Sequence, residues 1–162
     1  MLKAVQLAGF LAAELIPHVA AGRGLSPIVI FEKADGSSHI IRIQEDDGQK
    51  AAMDGENLLI ANEDGAERGV MAVDAYLNLP HGRRDALFLQ AREYTPVVRG
   101  MVLALPYHRG RKKLDFKIHR LKIIAFEDES LPQAALTDAF FDGVAGNPKG
   151  ARYWKENYDD GY

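Results

Sequence analysis

From Gly69 to Leu105 the side chains alternate with a period of two, broken at two turn-rich places, and consecutive β-strands are what that pattern builds. A period of two sends successive side chains to opposite faces of an extended chain. Met71, Val73, Ala75, Leu77 and Leu79 alternate with Val70, Ala72, Asp74, Tyr76 and Asn78. Beyond a turn over residues 80–84, Leu87, Leu89 and Ala91 alternate with Ala86, Phe88, Gln90 and Arg92. After Thr95-Pro96 the alternation resumes at Met101, Leu103 and Leu105. The odd positions of three strands are therefore the apolar ones, which predicts an antiparallel meander with one core-facing side. A fourth strand runs from Leu114 to Phe126. Its apolar positions shift from even to odd beside His119-Arg120, and a bulge is expected there.

Two further β-branched runs, residues 27–34 and 37–44, flank Asp35-Gly36, a dipeptide suited to a two-residue type I′ loop. That loop sets Ile28 and Ile30 on one face with Ile41 and Ile43, and Glu32 opposite His39. Leu7, Leu11, Leu15 and Val19 recur at four-residue steps, so residues 2–21 read as an amphipathic helix that Pro17 ends or kinks. Residues 49–62 form a helix weakened by Gly55, and residues 132–144 a short third one. Two or three helices packed mainly on one face of an antiparallel sheet of about six strands define an α+β fold. Residues 1–145 make up this domain, and residues 146–162 an aromatic tail, docked or mobile. No stretch of residues points to a particular family.

With 162 residues, of which 47% are hydrophobic, the chain can bury a core without disulfides or metal. The absence of cysteine excludes thiolate catalysis and sulfur-ligated zinc, and it suits a reducing compartment. Residues 4–22 loosely resemble a signal peptide, but Gln6 and Glu14 interrupt the apolar run. A cytoplasmic protein without a membrane span is the expectation.

The even positions of the meander make a face that is neither solvated nor dry. With Leu79 opposite Asp85 and Glu93 opposite Arg99, the cross-strand rows are Ala72–Arg92–Gly100, Asp74–Gln90–Val102 and Tyr76–Phe88–Ala104, and Tyr94 lies at one end. Aromatic rings, small neighbours and a few polar groups suit a groove for a ligand or partner. Asp74, Tyr76, Phe88, Gln90, Arg92 and Tyr94 are its candidate binding residues. A helix or the tail lying over them would instead make the face a half-polar core layer.

Charge is unevenly spread. The net charge is −3, yet residues 99–122 carry eight Lys or Arg against Asp115 alone. Arg109, Arg111, Lys112, Lys113 and Lys117 form a basic patch flanked by Tyr107 and Phe116, a pattern that also serves nucleic acids. The acidic balance of the whole chain argues against nucleic acid and for pairing with the protein's own carboxylates.

Chemistry-bearing motifs are scarce. Glu14 and His18 have a metal-compatible i, i+4 spacing, but Pro17 intervenes and no second ligand pair accompanies them. No serine sits in a Gly-x-Ser-x-Gly elbow, and residues 143–150 lack the Gly-Lys-Ser/Thr ending of a phosphate loop. No cofactor, metal or catalytic residue is expected. The tail holds Trp154, the only tryptophan, and three tyrosines, residue types enriched at interfaces. The leading expectation is a non-enzymatic binding or protein-interaction module of bacterial style. It would use the mixed sheet face and the tail toward a protein partner or a second copy. The alternative is a small-ligand binder or enzyme with its site on the same face.

Overall fold

The computed structural model describes residues 1–112, 115–127 and 130–161. The meander forms as three long strands, β3 (Arg68–Leu79), β4 (Gly82–Glu93) and β5 (Arg99–His108). Before them come α1 (Leu2–Ala20), β1 (Ile28–Glu32), β2 (Ser38–Arg42) and α2 (Gly48–Ala61). After them come β6 (Lys117–Ile118), β7 (Lys122–Phe126), α3 (Gln133–Ala145) and α4 (Pro148–Asn157). The seven strands form one antiparallel sheet in the order β2-β1-β3-β4-β5-β6, with β7 also paired to β5. The fold is α+β.

Turn lengths correct two of the expected registers. Lys33 N donates to Ser37 O and Gly36 carries φ +81°, so the first hairpin closes through three residues, Ala34 to Gly36. Gly36 alone supplies the left-handed conformation that such a loop needs. The extra residue slides the pairing by one, so Phe31, not Glu32, opposes His39 and Ile30 opposes Ile40. Leu79 pairs with Gly82, leaving only Pro80-His81 in the β3–β4 turn. Gly82, at φ +117°, accommodates the reversal in a backbone conformation that residues with a side chain rarely adopt. The expected partner of Leu79, Asp85, is three residues away, and an odd shift exchanges the faces of one strand. In place of one bulged strand, β6 and β7 are separate, interrupted at residues 119–121, and Leu114 lies outside the described residues.

One sheet face carries Ile28, Ile30, Val70, Ala72, Leu87, Leu89, Leu103 and Leu105 against α1, which packs in turn on α3 and α4. Pro17 does not stop α1, which runs three residues past it. The helices cross at Gly9 and Gly143. A Cβ at Gly9 would lie 1.9 Å from Phe140 O, and one at Gly143 would lie 1.8 Å from Gln6 O. Only hydrogen fits on both sides of this crossing. The other face carries Val29, Phe31 and Met71, which α2 covers through Leu59. Asp47 caps α2 by accepting from Gln49 N at 3.0 Å and Lys50 N at 3.2 Å.

Among the described residues α1 is the one helix long and apolar enough to cross a membrane, and 61% of its apolar window is buried inside the fold. Its apolar surface goes to the core.

Candidate functional site

The β3–β4 register divides the expected binding face in two. Across β4 and β5 the rows hold: Arg92 opposes Gly100, Gln90 opposes Val102 and Phe88 opposes Ala104. Their β3 partners, however, are Gly69, Met71 and Val73, not Ala72, Asp74 and Tyr76. Phe88, Gln90, Arg92 and Tyr94 therefore share the α2 face, while Asp74 and Tyr76 lie on the face of α1. The shorter turn is the physical reason, since it brings an odd register shift.

On the α2 side, the helix covers only the end of the sheet nearest β1. Val73, Leu77, Phe88 and Val102 are half-buried beyond it. Tyr94 closes the covered end. Its hydroxyl donates to Leu59 O in α2, and burial pushes its pKa up to about 12. Arg92 lies between, flanked by Gly69 and Gly100 on the neighbouring strands. Its Nε is buried without a hydrogen-bond partner. Beside it a notch of about 160 Å³ is bounded by Glu56, Gln90, Val102, Ala125 and Glu127. Glu127 accepts from Gly100 N at 2.7 Å, and Gln90 makes a long 3.5 Å contact with Glu56. The expected rows already set Gly100 opposite Arg92; Glu127 and Gly69 were not anticipated, Gly69 because only the observed β3–β4 register brings it there.

On the α1 side, Asp74 meets β5. Tyr107, buried opposite Asp85, donates its hydroxyl to Asp74 Oδ1 at 2.5 Å. Burial first, and then this hydrogen bond, push the Tyr107 pKa far above that of a free phenol. Arg109 Nη2 donates to Asp74 Oδ2 and to the Tyr107 hydroxyl, each at 3.1 Å. Tyr76 is 59% exposed, with the Arg83 guanidinium 3.5 Å above its ring. Nothing in the sequence pattern paired Tyr107 with Asp74, which are 33 positions apart.

Within the basic patch, Arg109 is thus tied to an internal acid, and outside it Arg120 lies 2.6 Å from Asp160. Arg111 and Lys112 are exposed, and Lys117 is half-buried on β6. Lys113 lies outside the described residues.

The tail is not an open aromatic surface. Asn147 caps α4 by accepting from Gly150 N, and its amide donates to Glu14 Oε2 at 2.8 Å. Glu14, a candidate metal ligand by spacing, is committed to this clasp. Trp154 is 4% exposed and meets Phe140 and Phe141 edge-on at 5.8 and 6.0 Å. As a binding residue it is corrected to a core residue, because exposing an indole forfeits the area that Phe140 and Phe141 bury. His119 is buried, and its pKa falls first by desolvation and further through the charges of His108 and Arg84, against an opposing pull from Asp159. Among the described residues no group of three or more His, Asp or Glu is gathered to hold a metal ion.

No family model matches the chain, and neither a curated protein nor a solved structure is significantly similar to it.

Proposed function

We propose that this chain is a non-enzymatic binding module that receives a protein segment on the part of the sheet face left bare by α2. The Nε of Arg92 carries the reading. A buried donor without an acceptor costs about 1–3 kcal/mol, and folded chains rarely leave one so. A carboxylate from a partner, seated in the notch, supplies the missing acceptor and a charge-assisted hydrogen bond. Val73, Phe88 and Val102 beside it offer apolar contact along the same strands. Size separates this from the small-ligand alternative. A notch of about 160 Å³ admits one side chain, whereas ligand sites run to roughly 300–1,000 Å³. A cytoplasmic setting accompanies the reading, supported by the lack of cysteine.

The test is cross-linking capture from cell extract with quantified partners, alongside thermal melts. Phe88→Glu and Arg92→Ala should lose the captured protein while melting within a few degrees of the wild type. Tyr76→Ala, on the opposite face, should keep it. Identical capture by all four proteins would overturn the reading.

A further inference from the structure

β2 ends the sheet on one side and is paired to β1 alone. The hairpin decides which of its backbone groups point outward. Lys33 N donates to Ser37 O and Ile43 N donates to Pro27 O, so the odd residues of β2 turn their N–H and C=O groups toward β1. Ser38, Ile40 and Arg42 therefore present theirs to the edge, where no further strand lies. Sheet edges are usually blunted by proline, lysine, a bulge or a covering segment. The far edge of this sheet is guarded in that way. There β6 is only two residues long and is bridged by Tyr158, and the β5–β7 register shifts between Val102 and Leu103. By contrast β2 has no proline, lysine or bulge, keeps an even register, and holds Ile40 51% exposed.

The sequence of the strand selects what pairs with it. A second β2 laid antiparallel about a two-fold axis at Ile40 sets Ile40 against its own copy and Ser38 against Arg42. All are outward-facing positions, so each of these pairs exchanges two backbone hydrogen bonds. No like charges oppose one another along the strand. Ile40 lies on the α1 face opposite Ile30, and the pair covers apolar surface that one copy alone leaves to water. On the same face, the row beyond the second copy's Arg42 runs Ser38, Glu32, Arg68. Serine is short enough for the incoming guanidinium to pass it and reach Glu32. Glu32, Glu67 and Asp142 stand around this corner against Lys3 and Arg68, so one added cation balances it. A two-fold pairing is closed, and the guarded far edge leaves no second place for the sheet to grow.

We propose that this chain forms a two-fold dimer through β2, with one sheet continuing across both copies. The surface is the edge of the sheet and does not include the Arg92 notch.

Sedimentation of the full chain over a concentration series, with native mass spectrometry of mixtures, tests this. A pairing of five-residue strands is a small interface, so a monomer–dimer equilibrium with Kd of about 10–100 µM is expected. Ile40→Lys and Ile40→Glu each place like charges at the axis and should weaken the dimer at least about tenfold, with melting close to that of the wild type. Mixing the two variants should restore a heterodimer, which no effect of Ile40 on folding alone could do. Arg42→Glu, which sets an acid beside Glu32, should weaken the dimer several-fold. Phe88→Glu and Arg92→Ala should leave it unchanged, so that this pairing and the binding of a partner at the notch stand or fall separately. Four results would overturn the proposal. The first is a chain that stays monomeric up to about 1 mM, as it would if the edge served only a strand of another protein. The second is a dimer equally strong in both Ile40 variants. The third is the absence of heterodimer on mixing them. The last is a species that keeps growing beyond the dimer as concentration rises.

Discussion

On one face of the sheet, α1 and α3 meet backbone to backbone, with Gly9 under Phe140 O and Gly143 under Gln6 O. On the other, α2 reaches the sheet through the ends of side chains, and the nearest atom to a Cβ added at Gly55 is Met71 Sδ at 2.8 Å. Both helices carry an interior glycine, yet the two glycines do different things. A peptide carbonyl is fixed by its own helix and cannot step aside. A thioether at the end of a flexible chain can. The α1 face is therefore the rigid half of the molecule, and the α2 face is the adjustable half where a partner can be admitted.

The strongest way to break this contrast is to fill the crossing. Gly9→Ala and Gly143→Ala each gain about 1 kcal/mol of helix propensity. Against that, the new methyl sits inside a carbonyl oxygen and must drive α1 and α3 apart, opening the packing of Phe140 and Val144. Overpacking on this scale costs about 3 kcal/mol or more, so each variant should be destabilised despite being the better helix former. For a chain of this length that corresponds to a melting temperature lower by roughly 5–10 °C. A melting temperature at or above that of the wild type would show that the crossing is not rigid.

How far this was legible in the sequence differs between the halves. The period-two alternation identified β3, β4 and β5, and the β4–β5 rows of Arg92, Gln90 and Phe88 were right because Glu93 does face Arg99. The turns were not legible to single residues. Asp35-Gly36 suits a two-residue loop, but Ala34 joins it, and Pro80-His81-Gly82 reads as a long turn although Gly82 lets two residues suffice. Each error of an odd number swaps faces. It is why Asp74 and Tyr76 were grouped with Phe88, when Asp74 belongs with Tyr107. The crossing had a signal: Gly9 and Gly143 interrupt apolar helical stretches, where glycine is costly unless another backbone comes close. The tail's aromatic content was equally visible, but whether Trp154 faces solvent or Phe140 depends on a helix that only the Asn147 cap and its bond to Glu14 position.

A middle-sized effect sharpens the comparison through pH. Tyr94 is the polar fastener between α2 and the sheet, and burial raises its pKa from 10.0 to about 12. The folded pKa lies above the unfolded one, so the fold favours the neutral phenol. That contribution is complete below about pH 10 and is lost as pH rises toward 12. Urea midpoints measured across this window should fall more steeply for the wild type than for Tyr94→Phe. At neutral pH the variant should lose about 1 kcal/mol, the worth of the hydrogen bond to Leu59 O. Parallel curves would remove Tyr94 from the account of how α2 is held.

The smallest expected effect is the most discriminating. Gly55→Ala places a methyl against Met71 Sδ and, at 3.6 Å, against Ile43 Cγ1 in ordinary contact. Met71 must move its sulfur out of contact, and its unbranched chain has three torsions with which to do so. The gain in helix propensity is about 1 kcal/mol, and the cost of moving Met71 offsets only part of it. Gly55→Ala should therefore leave the chain as stable as the wild type or up to about 1 kcal/mol more stable. Gly9→Ala is the same substitution, also at a buried helical position, and differs in what the methyl meets. Because the sites share no contacts, the double variant should show the two effects added to within about 0.5 kcal/mol. If Gly55→Ala instead destabilises as much as Gly9→Ala, α2 is seated as tightly as α1. The sheet face beside it would then have no adjustable helix with which to admit a partner at Arg92.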